Sequence, residues 1–264
     1  MSDPVTIDPP QLPRTILPGL VWIGACTRIP YRGEMVHSYH AVYVLSGTDS
    51  TLIVDTGPPK DWAIVERHLD QVLADGCPPV RHLVPTHTES PHCGNLGRLM
   101  RKFPEAEVSG DVRDLHLFFP GYEERLRPRG VGERIDLGGG TGYEFVDAVI
   151  RDIDTSLWGY DSGSGTLFTG DGFAYAHHHG ADQCGRLTEE LPELKIDELS
   201  AIFAEYALYW MRFTDMRGHI QRLEQLLASR PVNVIAPGHG SPIVDPAVTT
   251  EKVKAGLLAG SDII

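Results

Sequence analysis

No stretch of this 264-residue chain approaches the about 20 uninterrupted apolar residues that a membrane-spanning helix requires, and its most apolar runs, such as Ala207 to Met211, are short and flanked by charge. A membrane partner is therefore not expected. A basic surplus is missing too: 23 Lys and Arg face 36 Asp and Glu, giving a net charge of -13. With no Lys/Arg run to neutralise a row of phosphates, a nucleic-acid partner is not expected either. Cysteine is scarce. Cys26, Cys77, Cys93 and Cys184 lie far apart with no CxxC pair, so they read as thiols of a reducing compartment and not as a disulfide frame. The first residues carry acids and prolines where a secretory signal has a basic start and an apolar run, which makes the cytoplasm the expected location.

What is present fits a soluble globular protein: 41% hydrophobic and 22% charged residues fill one core. Residues 1–20, rich in proline, read as a surface arm, and residues 21–264 as a single domain, because no linker is long enough to divide them. From Val21 onward, VWIGA, HAVYVLS and TLIVDT read as antiparallel strands separated by turn formers. Lys60 to Ala74 then places Trp62, Val65, Leu69, Val72 and Leu73 at helical spacing. RHLVPTH reads as a buried strand that gives way to the polar loop TESPHCGN and to helical LGRLMRKF. A second cycle follows with EFVDAVI, TLFTGD, weakly helical material from Glu189 to Leu227, the strand PVNVIAP and a last helix. The architecture this implies is α/β, in four layers, with helices outside and two sheets inside.

Acids and imidazoles gather where strand patterns give way to loops, which is where a fold can aim side chains at one point. The densest group is THTESPH, with His87, Glu89 and His92. Imidazole and carboxylate at this density form a metal-ligand pattern, since they supply lone pairs that Thr and Ser do not match. Pro85 and Pro91 make the segment a loop and separate it from the helical zinc-protease pattern.

LIVDTG at 52–57, LFTGD at 167–171 and APGHG at 236–240 occur in fixed order around that cluster. Together the four motifs resemble the metallo-β-lactamase superfamily, from about Val21 to Asp245. The resemblance implies an αββα sandwich and a two-metal site. It matches His87, Glu89 and His92 to three positions of the family's HxHxDH motif, Asp171 to a bridging carboxylate and His239 to the final ligand. Pro91 stands where the family has Asp. Counting back from Asp171 by the family's spacing lands on Asp152, with Asp154 as a near alternative, in place of the usual His. Asp55 is expected to orient the His-bearing loop.

This ligand set offers three carboxylates against three imidazoles, which favours iron or manganese over zinc as the two divalent ions. HxExDH is also the pattern of the flavodiiron branch, which this chain resembles at Glu89 but not at Pro91. The leading expectation is a metallo-hydrolase that turns a metal-bound hydroxide on a small-molecule ester, lactone, amide or activated ether, with Asp154 replacing the missing proton-shuttling Asp. His178, within His177-His178-His179, is a candidate proton donor at the mouth of the site. His37 and His40 sit on what reads as a loop beside the pocket. Two alternatives remain: a non-haem diiron oxidoreductase using oxygen and an external electron donor, because 264 residues leave no room for a flavin domain, and a weakly metallated, partner-dependent subunit. Homo- and hetero-oligomers are both open.

Overall fold

Two sheets pack face to face because their strands carry apolar residues on both faces. The computed structural model describes residues 5–178, 180–191, 200, 202–203 and 205–261. The first sheet contains β1 (Val5–Ile7), β2 (Arg14–Leu17), β3 (Leu20–Tyr31), β4 (Glu34–Ser46), β5 (Thr51–Val54), β6 (Val80–Val84), β7 (Glu107–Gly110) and β8 (Leu126–Pro128). β3, β4 and β5 pair antiparallel, and β5 through β8 continue in parallel. The second sheet runs β13-β12-β11-β10-β9, made of β9 (Arg134–Gly138), β10 (Thr141–Asp147), β11 (Leu157–Asp161), β12 (Thr166–Gly170) and β13 (Val234–Pro237).

β4 shows how the sequence sets the layers. Tyr39, Ala41, Tyr43 and Leu45 point between the sheets, where they meet Tyr143, Phe145 and Phe168 of the second sheet. Val42 and Val44, one residue out of phase, point outward against Val65 and Leu69 of α1 (Trp62–Ala74). After α1 come α2 (Ser90–Cys93), α3 (Leu96–Lys102) and α4 (Leu115–Phe118); Leu96 and Leu99 of α3 join the same outer cluster. On the far side, Trp158, Leu167 and Ile235 pack against Ile220 and Leu223 of α5 (Arg217–Ala228) and Val253 and Leu257 of α6 (Pro246–Ser261). The fold is thus α/β, an αββα sandwich. Each fully buried aliphatic side chain in these layers contributes about 1.5–3 kcal/mol, so the helices are held mainly by their apolar stripes.

The proline-rich start is more ordered than its composition suggests. β1 and β2 both pair with β3, and Leu12 is buried between the sheets. Pro9, Pro10 and Pro13 fall between the two strands, where a missing N–H costs no ladder bond. His37 and His40 lie inside β4, not on a loop, because β4 begins at Glu34 and runs through both. Among the described residues no helix is long and apolar enough to cross a membrane.

β5, β6, β12 and β13 all end at the same edge of the sandwich. Their carboxyl ends release Asp55, the loop to Glu89, Asp171 and His239 respectively. Parallel strands open ligand sites at this edge. Backbone bonds tie these strand ends to their neighbours: Asp55 N donates to Val84 O at 3.0 Å, Gly238 N to Gly170 O at 2.7 Å, Ala41 N to Gly238 O at 2.9 Å, and Leu157 N to Thr86 O at 2.9 Å.

Candidate metal centre

Asp55 organises the approach of the loops. It adopts a left-handed backbone conformation with φ 60, which turns its carboxylate back beneath the β6 loop. There Oδ1 accepts from Thr86 N at 2.7 Å and Thr86 Oγ1 at 2.9 Å, and Oδ2 lies 2.9 Å from His92 Nδ1. A proton held on Nδ1 leaves His92 Nε2 facing the centre. His239 is fixed in the same manner, its Nδ1 lying 2.6 Å from the Tyr39 carbonyl oxygen. Gly238 makes room for this arrangement, since a Cβ there would stand 2.5 Å from His92 Cε1.

The side chains so aimed converge. His92 Nε2 is 3.2 Å and His239 Nε2 3.6 Å from Asp171 Oδ1, while His87 Nε2 is 3.6 Å from Asp152 Oδ2. His87, His92 and Asp171 place ligand atoms within 4.8 Å of one another, and so do His87, Glu89 and Asp152. His87 and His92 lie with ring centroids 3.8 Å apart. His87 Nε2, His92 Nε2, Asp152 Oδ2 and Asp171 Oδ1 are all buried and make no hydrogen bond. Four unsatisfied polar atoms facing one point are costly in a folded chain unless a cation joins them.

Electrostatics agree with that reading. Burial, reinforced by His92, pushes His87 down to about 3, and burial lowers His239 to about 4, so both rings are neutral donors at neutral pH. Burial, with Asp171 and Glu89 close by, raises Asp152 to about 7. For Asp171 burial acts upward, but His239 and His92 overcome it and hold the carboxyl far below its ordinary value. His92 is the converse: burial opposes its charge, and Asp55 and Asp171 nevertheless hold it well above the usual imidazole range.

The structure separates the two neighbouring candidates Asp152 and Asp154. Asp152 has a side chain 5% exposed and faces His87, whereas Asp154 is 79% exposed and pairs with Arg113 at 3.2 Å. Asp154 therefore does not reach the centre as a proton shuttle. Glu89 is exposed and marks the rim. His178 lies on the surface, 3.6 Å from Glu34, rather than aimed at the metal ligands. His177 is buried and pairs through its backbone with His37; His179 lies outside the described residues.

Two contributors carried no motif. Asp61, fully buried, lies with Oδ2 2.6 Å from His40 Nδ1, and the His40 ring meets His239 edge-on at 5.5 Å. Asp61 precedes α1, and its side chain makes no cap bond there. Phe203 stacks on His239 at 5.1 Å and closes its outer face.

Comparison with known proteins places this geometry. The chain is 25% identical over 248 residues to Coenzyme F420H(2) oxidase of Methanothermobacter marburgensis, covering 88% of this chain and 58% of that protein. Its fold superimposes on rubredoxin oxygen:oxidoreductase from Desulfovibrio gigas with a TM-score of 0.76 at 16% identity, over 94% of this chain and 61% of the other. The flavodiiron protein from Giardia intestinalis gives 0.70 at 15% identity, over 93% and 57%. The chain spans about three-fifths of the length of these relatives. The expectation of a metallo-hydrolase is corrected by these findings, because the similar proteins are named as oxidases and flavodiiron proteins. Three carboxylates grouped with the imidazoles also suit a harder ion than the usual histidine-rich zinc set does. The sequence model of the metallo-beta-lactamase superfamily matches residues 37–239, which takes in every loop of the centre, and the chain belongs to that superfamily.

Proposed function

We propose that this chain is a non-haem diiron oxidoreductase that reduces oxygen with electrons from a donor outside the domain. The observation that supports this most is the convergence of four buried, unsatisfied ligand atoms from two carboxylates and two imidazoles. His87, Glu89 and Asp152 would hold one iron, His92 and His239 the other, with Asp171 between them. Iron bound there supplies one-electron redox chemistry toward oxygen. The chain's own part is to set the ligands. Asp55 and the Tyr39 carbonyl fix the tautomers of His92 and His239, so that each presents a lone pair without reorganisation. Phe203 and His40 flank His239 and restrict water on that side. Pro91 offers no donor atom where the flavodiiron pattern has Asp, so the position at His92 and His239 has fewer protein ligands and is the weaker of the two.

The test is anaerobic loading with ferrous iron followed by mixing with oxygenated buffer. The expected result is oxygen consumption together with iron oxidation, faster than for the same iron free in buffer and abolished in Asp171→Ala. Oxygen consumption at the rate of free iron would overturn the proposal.

A further inference from the structure

A second cluster lies between β3, β4 and the segment that follows β12. Cys26 on β3 faces between the sheets, and His37 lies diagonally across the β3–β4 ladder, where Cys26 pairs with Tyr39 and Arg28 with His37. The turn Ala181–Gln183 then delivers Cys184 to the same point. Cys26 and Cys184 are fully buried and His37 is 6% exposed. Cys26 Sγ is 3.2 Å and Cys184 Sγ 3.7 Å from His37 Nδ1, and the three atoms lie within 4.8 Å of one another.

We propose that Cys26, His37 and Cys184 form a second, soft-metal site that binds zinc, distinct from the carboxylate-rich centre. Tetrahedral zinc with Zn–S of about 2.3 Å and Zn–N of about 2.0–2.1 Å sets its sulfur and nitrogen ligands about 3.6 Å apart, and the two observed separations bracket that value. Both sulfurs approach the same ring nitrogen. Cys26 and Cys184 form no disulfide with each other. Two thiolates and a neutral imidazole balance the charge of a divalent ion, so the buried site is uncharged when filled. Ligand softness keeps the two sites apart, since thiolates select zinc while carboxylates select harder ions.

Such a site would clamp the segment after Asp171 onto β4. His37 and His177 exchange both backbone bonds, at 2.7 and 2.8 Å, and Gly185 N donates to Tyr39 Oη at 2.7 Å. Tyr39 in turn carries the carbonyl that orients His239. Zinc here would hold that anchor in place.

Cobalt titration of the metal-free full-length chain tests this, because a thiolate-to-cobalt charge-transfer band in the near ultraviolet cannot come from imidazole and carboxylate. The band is expected at one equivalent, retained in His87→Ala and Cys93→Ser, and lost in Cys26→Ser and in Cys184→Ser. X-ray absorption of the wild-type zinc form, which needs no variant to fold, is expected to show two sulfur neighbours at about 2.3 Å. Absence of the band, its survival in either Cys26→Ser or Cys184→Ser, its loss in Cys93→Ser, fewer than two sulfur neighbours, or a Cys26–Cys184 disulfide in the isolated protein would each overturn the assignment.

Discussion

Replacing Asp55 by Asn tests whether the centre depends on a fixed proton position rather than on shape alone. Asn has nearly the volume of Asp and tolerates the left-handed φ of 60 found here, so the backbone is expected to stay in place. Oδ1 of the amide keeps the bonds from Thr86 N and Thr86 Oγ1. The NH2 group then replaces Oδ2, 2.9 Å from His92 Nδ1, and sets donor against donor. The ring escapes by moving its proton to Nε2, the atom 3.2 Å from Asp171 Oδ1, which removes the lone pair a metal there requires. Loss of such an outer hydrogen bond weakens metal binding about 10–100-fold. Chelator-competition titration should show that loss at the weaker of the two positions, with the His87, Glu89 and Asp152 position changed little. An Asp55→Ala chain leaves three buried donors without an acceptor and should lose about 3 kcal/mol or more in denaturant unfolding. Unchanged affinity in Asp55→Asn, or equal losses at both positions, would refute the reasoning.

Other consequences follow from the same geometry. Gly238→Ala puts a methyl group 2.5 Å from the His92 ring; it should cost about 1–3 kcal/mol by thermal unfolding and remove the weaker metal, whereas wild-type stability would contradict the stated clearance. Because Asp152 is raised to about 7, a proton must leave it before metal enters, so apparent affinity at that position should fall about tenfold per pH unit below about 7 and level off above it; isothermal titration from pH 5 to 8 checks this. The sign for the metal-free fold is opposite: the unfolded chain ionises first, so this carboxyl's contribution to stability declines as pH rises toward about 7. Asp154→Asn and His178→Ala change exposed side chains outside the ligand cluster and should leave metal content and stability within about 0.5 kcal/mol of wild type.

Much of the fold was legible because the sandwich imposes simple periods. Short apolar runs in HAVYVLS and TLIVDT gave strands, and the spacing of Val65, Leu69 and Val72 gave a helix, since a strand between two layers buries both faces and a helix on a sheet buries one. The loops of the centre were legible for a different reason: His and acid residues stand out where apolar strands stop. β1 and β2 were hidden because short edge strands need few apolar residues, and pairing with β3 is a long-range choice. Asp152 and Asp154 could not be told apart in sequence, because both lie in an irregular turn with no period to say which faces inward. The Asp61–His40 pair and the Cys26, His37 and Cys184 cluster were invisible for the same cause. Each unites residues that sequence separates and only tertiary packing brings together. The reaction was not legible in these loops, since one fold hosts both hydrolases and oxidases.

Metal stoichiometry with Mössbauer spectroscopy on iron-loaded protein, purified without a tag, addresses the central claim most directly. The account predicts two irons per chain that couple magnetically through a shared carboxylate, with the coupling lost in Asp171→Ala. A single iron per chain, or two irons without coupling, would contradict it.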